Sequence, residues 1–254
     1  MPDPVGVVAA LPRTSAGLQP LYGDPPTGVR ANIVLSLDGG AVFNGKTRPL
    51  SDDTDLWLLN QLRGYADVVL VGAGTIRAER YGPVRLTADQ REQRRIAGYA
   101  ADPPPIAVVS ARARLDRALP VFSPTGTRPL LVTVERSRRD AEELADVADV
   151  VVAGEERVDP ARLLAGLADR GLRRVLCEGG PTLLGSFIEA DLVDDMCLSL
   201  APRFAGPQPV DALGRPGQPL EATAGLANPT TMSLSHILSH DGMLYLRYVR
   251  RRNG

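Results

Sequence analysis

From residue 29 onward, short apolar runs alternate with amphipathic segments. The runs are rich in β-branched residues and stop at glycine or serine, which predicts buried strands. Between them, capping residues and apolar positions at helical spacing predict helices. The predicted strands are RANIVLSLDG, DVVLVGAGT, PIAVVS, RPLLVTV, DVVVAG and RRVLCEGG, and the predicted helices are SDDTDLWLLNQLRG, RRDAEELADVAD and DPARLLAGLADRG. Strands that alternate with helices favour an α/β fold with a parallel-rich sheet.

The end of the chain follows a different pattern. The runs DDMCLSLAPRFAG, TTMSLSHILSHDG and MLYLRYVRR follow one another without a helix between them, and His240-Asp241-Gly242 is typical of a turn. We therefore expect a C-terminal antiparallel hairpin at one edge of the same sheet. Residues 1–28 show no periodicity, so they are predicted to be an irregular arm before a single domain over residues 29–254.

Composition excludes several classes of function. The chain carries 29 basic and 30 acidic side chains, so no general field attracts nucleic acid or anionic lipid. No stretch approaches the roughly 18–20 apolar residues that cross a bilayer. The two cysteines, Cys177 and Cys197, lie in apolar runs and form neither a disulfide framework nor a metal motif. We therefore expect a cytoplasmic protein without a metal site, in which any bound anion is held locally.

Three glycine-marked strand ends are candidate ligand sites: SLDGG, VGAGT and CEGGPT. In the last, Gly179 and Gly180 precede a predicted helix start, where backbone N–H groups and the helix dipole favour an anion. Glu178 nevertheless places a negative charge beside this position. VGAGT supplies only part of the dinucleotide fingerprint, so it gives weak support for a Rossmann fold.

Three motifs, in order along the chain, resemble one family. They are NIVLSLDGG, RGYADVVLVGAGTIRAE and VLCEGGPTLLGSFIEADLVDDMCLSLAPRFAG. They are similar to the C-terminal domain of the bacterial bifunctional deaminase-reductases, the pyrimidine reductase of riboflavin biosynthesis. The resemblance implies a dihydrofolate-reductase-like α/β fold, NADPH as hydride donor and usually a homodimer. The zinc signature of the deaminase half is absent, so we expect a stand-alone reductase.

The resemblance also implies which residues contact each ligand. Arg63 is expected to bind the substrate phosphate through its planar guanidinium. The backbone after Glu178 would face the pyrophosphate, while its side chain accepts hydrogen bonds from a nitrogen heterocycle. Hydride transfer to the ribose C1′ needs proton movements, for which Asp38 and Glu178 are the candidates. The substrate contacts implied are Asn32, Thr47, Ser51, Arg63, Arg85 and Glu178. The cofactor contacts implied are Gly72, Thr75, Glu79, Ser110, Gly179, Gly180, Pro181, Thr182, Leu183, Leu184, Gly185 and Ser186.

Some positions depart from the usual bacterial pattern. Asn32 replaces a lysine, Glu79 replaces an aspartate, and RYGPVRLT replaces D-P-x-L-T. Asparagine offers a donor and an acceptor without charge, which suits an aminopyrimidine rather than a dione. Two alternatives therefore stay open: a reductase of a pterin or dihydrofolate-like ring, and a non-catalytic nucleotide-binding protein. Ser51 could also be a simple helix cap, and Arg63 a cation at a helix C-terminus.

Overall fold

A central sheet flanked by helices organises the chain. The computed structural model describes residues 8–100, 102–206 and 230–250, and these contain ten strands and seven α-helices. The strands are β1 (Ala9–Ala10), β2 (Gly28–Leu35), β3 (Val68–Gly72), β4 (Ile106–Val109), β5 (Leu130–Thr133), β6 (Asp149–Val152), β7 (Arg174–Cys177), β8 (Val193–Leu200), β9 (Ser233–His240) and β10 (Met243–Val249). The helices are α1 (Ser15–Tyr22), α2 (Asp53–Arg63), α3 (Ala73–Glu79), α4 (Ala88–Ile96), α5 (Arg138–Glu142), α6 (Pro160–Ala168) and α7 (Pro181–Glu189).

The strands lie in the order β1-β9-β10-β8-β2-β7-β3-β4-β5-β6. All neighbours from β8 to β6 are parallel, whereas β10 is antiparallel to both β8 and β9. The turn between β9 and β10 has positive φ angles at Asp241 (46°) and Gly242 (82°), as a two-residue hairpin turn requires. The predicted parallel-rich α/β sheet with a C-terminal antiparallel hairpin is confirmed.

Helices cover both faces of the parallel part of the sheet. Leu18 of α1, Leu58 of α2 and Ile76 of α3 pack in the core on one face, and Leu163 of α6 and Phe187 of α7 pack in the core on the other. A strand between two helical layers buries consecutive residues, which explains the continuous apolar runs in the sequence. No helix among the described residues is long and apolar enough to span a membrane.

The N-terminal segment differs from the irregular arm that its sequence suggested. It contains β1, which pairs with β9, and α1, which begins after Thr14. Thr14 caps this helix by accepting a hydrogen bond from the backbone N–H of Gly17 at 3.1 Å. Leu18 and Tyr22 are buried, so α1 forms part of the core. Pro20 inside the helix obscured its periodicity.

The start of α2 and the presence of α4 also differ from the prediction. The N-cap of α2 is Asp52, which accepts from the backbone N–H of Asp55 at 2.7 Å, and not Ser51 as predicted. Helix α4, which the sequence pattern did not predict, begins at a capping box between Thr87 and Gln90. Because Ser51 does not cap α2, its hydroxyl is available for a different contact.

Candidate active site

A large cleft runs along the carboxyl edge of the parallel sheet. Its walls come from the ends of β2, β3, β4 and β7 and from the cleft-facing sides of α2, α3 and α7. Ligands of open α/β sheets usually bind at this edge. The cleft has a volume of about 1640 Å³, whereas single small ligands usually occupy roughly 300–1,000 Å³. It therefore has room for two ligands side by side.

The ends of β3 and β7 are joined at the middle of this cleft. The backbone N–H of Gly72 donates to the carbonyl of Gly179 at 2.8 Å. Gly180 has a φ of 39°, and a Cβ atom there would lie 2.9 Å from Thr75 Oγ1. Glycine at position 180 thus permits the starts of α3 and α7 to approach each other closely.

Both helix starts are suited to anions. The N-cap residues of α3 and α7 are Gly72 and Gly180, neither of which has a side chain to accept from the first backbone N–H groups. Unsatisfied N–H groups and the positive helix ends therefore face the cleft together. Thr75 and Thr182 also line this region. The arrangement can bind a group with more than one phosphate.

Glu178, beside this anion site, is held in an ion pair. Arg63 donates from Nε to Oε1 at 2.6 Å and from Nη2 to Oε2 at 2.7 Å. The side chain of Glu178 is 2% exposed and that of Arg63 is 17% exposed. Burial lowers the pKa of Arg63, but the charge and hydrogen bonds of Glu178, together with Tyr81, outweigh this effect, so the pKa of Arg63 is raised. The carboxylate is therefore neutralised by the protein, which explains how it can lie next to a phosphate site.

This pairing changes the role expected of Arg63. Two of its nitrogens bind Glu178, and Nη1 donates to Asn60 Oδ1 at 3.0 Å. The two nitrogens that could bind a phosphate together are therefore directed at a carboxylate of the protein. Tyr81 completes the group, with its ring centroid 5.3 Å from the guanidinium carbon. Burial raises the pKa of Tyr81, and the charge of Glu178 raises it further, so the phenol stays protonated. Sequence reasoning missed Tyr81, although it lies in the segment that departs from D-P-x-L-T.

Several predicted substrate residues meet at the other end of α2. Asn32, Thr47 and Ser51 all line the cleft. Glu79 Oε1 accepts from the backbone N–H of Thr47 at 3.0 Å, so α3 fixes the loop that carries Thr47. Asp55 also lines this end and is 7% exposed, although the sequence pattern did not single it out as a site residue.

Asp38 and Arg85 do not line the cleft, unlike the other predicted site residues. Asp38 accepts from the backbone N–H groups of Ala205 at 3.0 Å and Gly206 at 2.7 Å, and from the Ser36 hydroxyl. The backbone hydrogen bond from Ala205, aided by Ser36, lowers the pKa of Asp38 to about 2. Asp38 thus fixes the loop after β2 to the segment after β8, and its low pKa makes it a poor proton donor. Arg85 is exposed on the segment before α4.

Arginines surround the end of the cleft beyond Ser110, which follows β4. They are Arg112, Arg114, Arg136 and Arg157. Two of them have carboxylate partners, because Arg114 contacts Asp140 at 3.5 Å and Arg136 contacts Glu156 at 2.6 Å. Arg112 and Arg157 have no such partner within the described ranges, so this end of the cleft carries positive charge for a further anionic group. In the same ranges, no three His, Cys, Asp or Glu side chains are grouped so that they could hold a metal ion.

Fold and site together define an α/β domain with a ligand cleft at the carboxyl edge of the sheet, where two helix starts suit phosphate groups. Residues 27–229 match the family model of the RibD C-terminal domain, and the chain belongs to this family. The resemblance inferred from the three sequence motifs is thereby confirmed.

Relatives with named activities cover most of the chain. The 2,5-diamino-6-ribosylamino-4(3H)-pyrimidinone 5′-phosphate reductase of Archaeoglobus fulgidus is 32% identical over 179 residues, which are 70% of this chain and 81% of that protein. The reductase of the same name from Methanothermobacter thermautotrophicus is 31% identical over 175 residues, covering 69% and 77%. The crystal structure of a pyrimidine reductase-like protein from Corynebacterium diphtheriae has a TM-score of 0.77, 29% identity and 96% coverage of both chains.

Proposed function

We propose that this protein is an NADPH-dependent reductase of riboflavin biosynthesis. It reduces the ribosyl group of a phosphoribosylamino-pyrimidine to ribityl by hydride transfer. One observation carries the proposal: a single cleft joins the two helix starts that suit phosphates to a pocket of hydrogen-bonding side chains. Hydride transfer needs donor and acceptor held together in such a shared site. The named relatives support the same reaction class.

The cofactor half of the cleft fits a nicotinamide dinucleotide. When bound, the nicotinamide supplies the hydride. The backbone N–H groups after Gly72 and Gly180 bind the pyrophosphate, and Thr75 and Ser110 flank it. Arg112, together with Arg157, provides the charge that the additional ribose phosphate of NADPH requires. This positive end is the reason for proposing NADPH rather than NADH.

The substrate half is defined by α2 and by the end of β2. Asn32, Thr47 and Ser51 offer hydrogen bonds to the heterocycle and the sugar. Arg63 orients Glu178 through two hydrogen bonds, and the remaining lone pairs of Glu178 can accept from a nitrogen of the substrate. In the reaction, the ring-opened ribosylamine is an imine, whose carbon gains the hydride and whose nitrogen gains a proton.

The direct test is to follow loss of reduced-nicotinamide absorbance when purified protein is mixed with NADPH and a phosphoribosylamino-pyrimidine. We expect turnover that depends on both compounds and is faster with NADPH than with NADH. A dihydropterin is the comparison substrate, and preferential turnover of it would replace the proposed substrate. Tight NADPH binding without turnover of any of these compounds would indicate a nucleotide-binding protein instead. We also infer a homodimer from the resemblance. Light scattering tests this, and we expect a measured mass of twice the mass of the chain.

A further inference from the structure

Asp55 is another carboxyl group that lines the cleft, and its surroundings differ from those of Glu178. It lies in the first turn of α2 with 7% of the residue exposed. Its Oδ2 accepts from Ser51 Oγ at 2.6 Å, and the hydroxyl of Ser199, on β8, provides another hydrogen bond. Among the described residues, it has no arginine or lysine in an ion pair. Asp55 is thus a buried carboxyl bound by hydroxyl groups alone.

Two other carboxylates that are buried in the described part of the chain are neutralised by arginine. Asp195 accepts from Arg30 Nε at 2.8 Å and from Arg247 Nη2 at 2.9 Å. Glu178 is bound by Arg63, eight positions after Asp55 on the same helix and therefore about 12 Å further along its axis. Burying a carboxylate without a cation is costly unless hydrogen-bond donors surround it. Asp55 has part of the donor set that it needs.

The effects on the pKa of Asp55 also indicate that its set of hydrogen-bond donors is incomplete. Burial raises its pKa, and the hydrogen bonds from Ser199 and Ser51 only partly oppose this. The charge of Asp52 raises the pKa further, and Arg48 is the cation that lowers it. A ligand that brings additional N–H donors into the cleft would stabilise the ionised carboxylate.

We propose that Asp55 recognises the 2-amino and N3–H groups of a 2-aminopyrimidin-4-one ring, so that the substrate is a diaminopyrimidinone and not an aminouracil. This inference rests on the proposed reductase function. The two ring groups are adjacent donors on one edge, and a carboxylate accepts two parallel N–H bonds. A uracil ring presents its C2 oxygen where the diaminopyrimidinone presents the 2-amino group. That oxygen would face a carboxylate oxygen in a buried site, without a hydrogen bond between them.

The test is the substrate preference of Asp55→Asn. Asparagine keeps the size of the side chain but offers one acceptor and one donor, which matches N3–H and the C2 oxygen of uracil. We expect wild type to prefer the diaminopyrimidinone ribosylamine phosphate over the aminouracil compound by at least about tenfold in kcat/KM. In Asp55→Asn, kcat/KM for the first should fall roughly 10- to 100-fold, and kcat/KM for the second should not fall.

The matched control is Asp53→Asn, which makes the same change of charge in the same helical turn at an exposed side chain. It should leave the ratio of the two kcat/KM values unchanged. An equal loss for both substrates in Asp55→Asn would show a merely structural role and overturn the inference, as would a wild type that does not distinguish them. If Asp55→Asn does not fold, the wild-type preference alone decides. If wild type oxidises NADPH with neither pyrimidine, the proposed function fails and the inference fails with it.

Discussion

The ion pair between Arg63 and Glu178 gives a stability prediction that can be worked from its geometry. Replacing Arg63 leaves a carboxylate whose side chain is 2% exposed. The two hydrogen bonds lost measure 2.6 and 2.7 Å, and charge-assisted bonds contribute roughly 1.5–3 kcal/mol each. Because Arg63 is 17% exposed, solvent screens part of the interaction. We therefore expect Arg63→Met to lower the free energy of unfolding by about 3 kcal/mol, the low end for a broken buried pair.

A double-mutant cycle separates this effect from lost packing. Arg63→Met, Glu178→Gln and the double variant are compared with wild type by urea unfolding, followed by circular dichroism. With a denaturant slope of roughly 3 kcal/mol per molar urea, the midpoint of Arg63→Met should fall by about 1 M. In the double variant neither charge is buried alone, so it should recover part of the loss, with a coupling of about 2 kcal/mol.

A coupling below about 0.5 kcal/mol would show that the pair behaves like a surface salt bridge. The conclusion that Arg63 neutralises a buried carboxylate would then be wrong. Arg95→Met is the matched control, because Arg95 makes a similar two-pronged contact with Glu92 on the exposed side of α4. It should leave the midpoint unchanged.

Three further predictions concern other parts of the cleft and its support. Glu178→Gln should retain NADPH binding in a fluorescence titration and lose most turnover. An equal loss of cofactor affinity would contradict the proposal that the backbone here binds the cofactor while the side chain binds the substrate. Arg112→Ala should raise the KM for NADPH about tenfold, the value of one charge-assisted contact, and leave the KM for NADH unchanged; parallel changes in both would remove Arg112 from the phosphate site. Asp38 has a folded-state pKa of about 2, below the roughly 3.9 of an unfolded aspartate, so its contribution to stability is complete above pH ~4 and is lost as the pH falls through 2. Asp38→Asn should therefore be less stable than wild type at neutral pH, and the difference in melting temperature should shrink toward pH 2. A difference that does not change with pH would show that the hydrogen bonds of Asp38 do not depend on the charge of its carboxylate.

The strands could be predicted because their local pattern and their final environment agree. Residues 68–71 are three valines and a leucine, and each is fully buried between two helical layers. The hairpin turn at Asp241 and Gly242 was also predictable, since the required positive φ angles favour this residue pair. The start of α2 was wrong by one residue, because Ser51 and Asp52 are both good capping residues and local sequence does not choose between them.

The contacts that define the cleft were not predictable from local sequence. Arg63 and Glu178 are 115 positions apart, and on sequence alone a helix C-terminus was the better explanation of the arginine. Asp55 resembled its exposed neighbour Asp53, and only its position against β8 shows that it is buried. Asp38 follows a strand like the other candidates, but its side chain turns toward Ala205 and Gly206 and away from the cleft. In each case the deciding partner comes from a distant part of the chain.

The position of β7 has a consequence for how the protein folds. This strand lies between β2 and β3, although it follows β3 by about a hundred residues in the chain. Until the ribosome has produced β7, no strand connects β2 to the part of the sheet that β3, β4, β5 and β6 form. Pairings between distant segments make folding slow and expose unpaired strand edges. We expect nascent chains that end before β7 to be sensitive to protease and to depend on chaperones, and the reductase cleft to form only after α7 has left the ribosome.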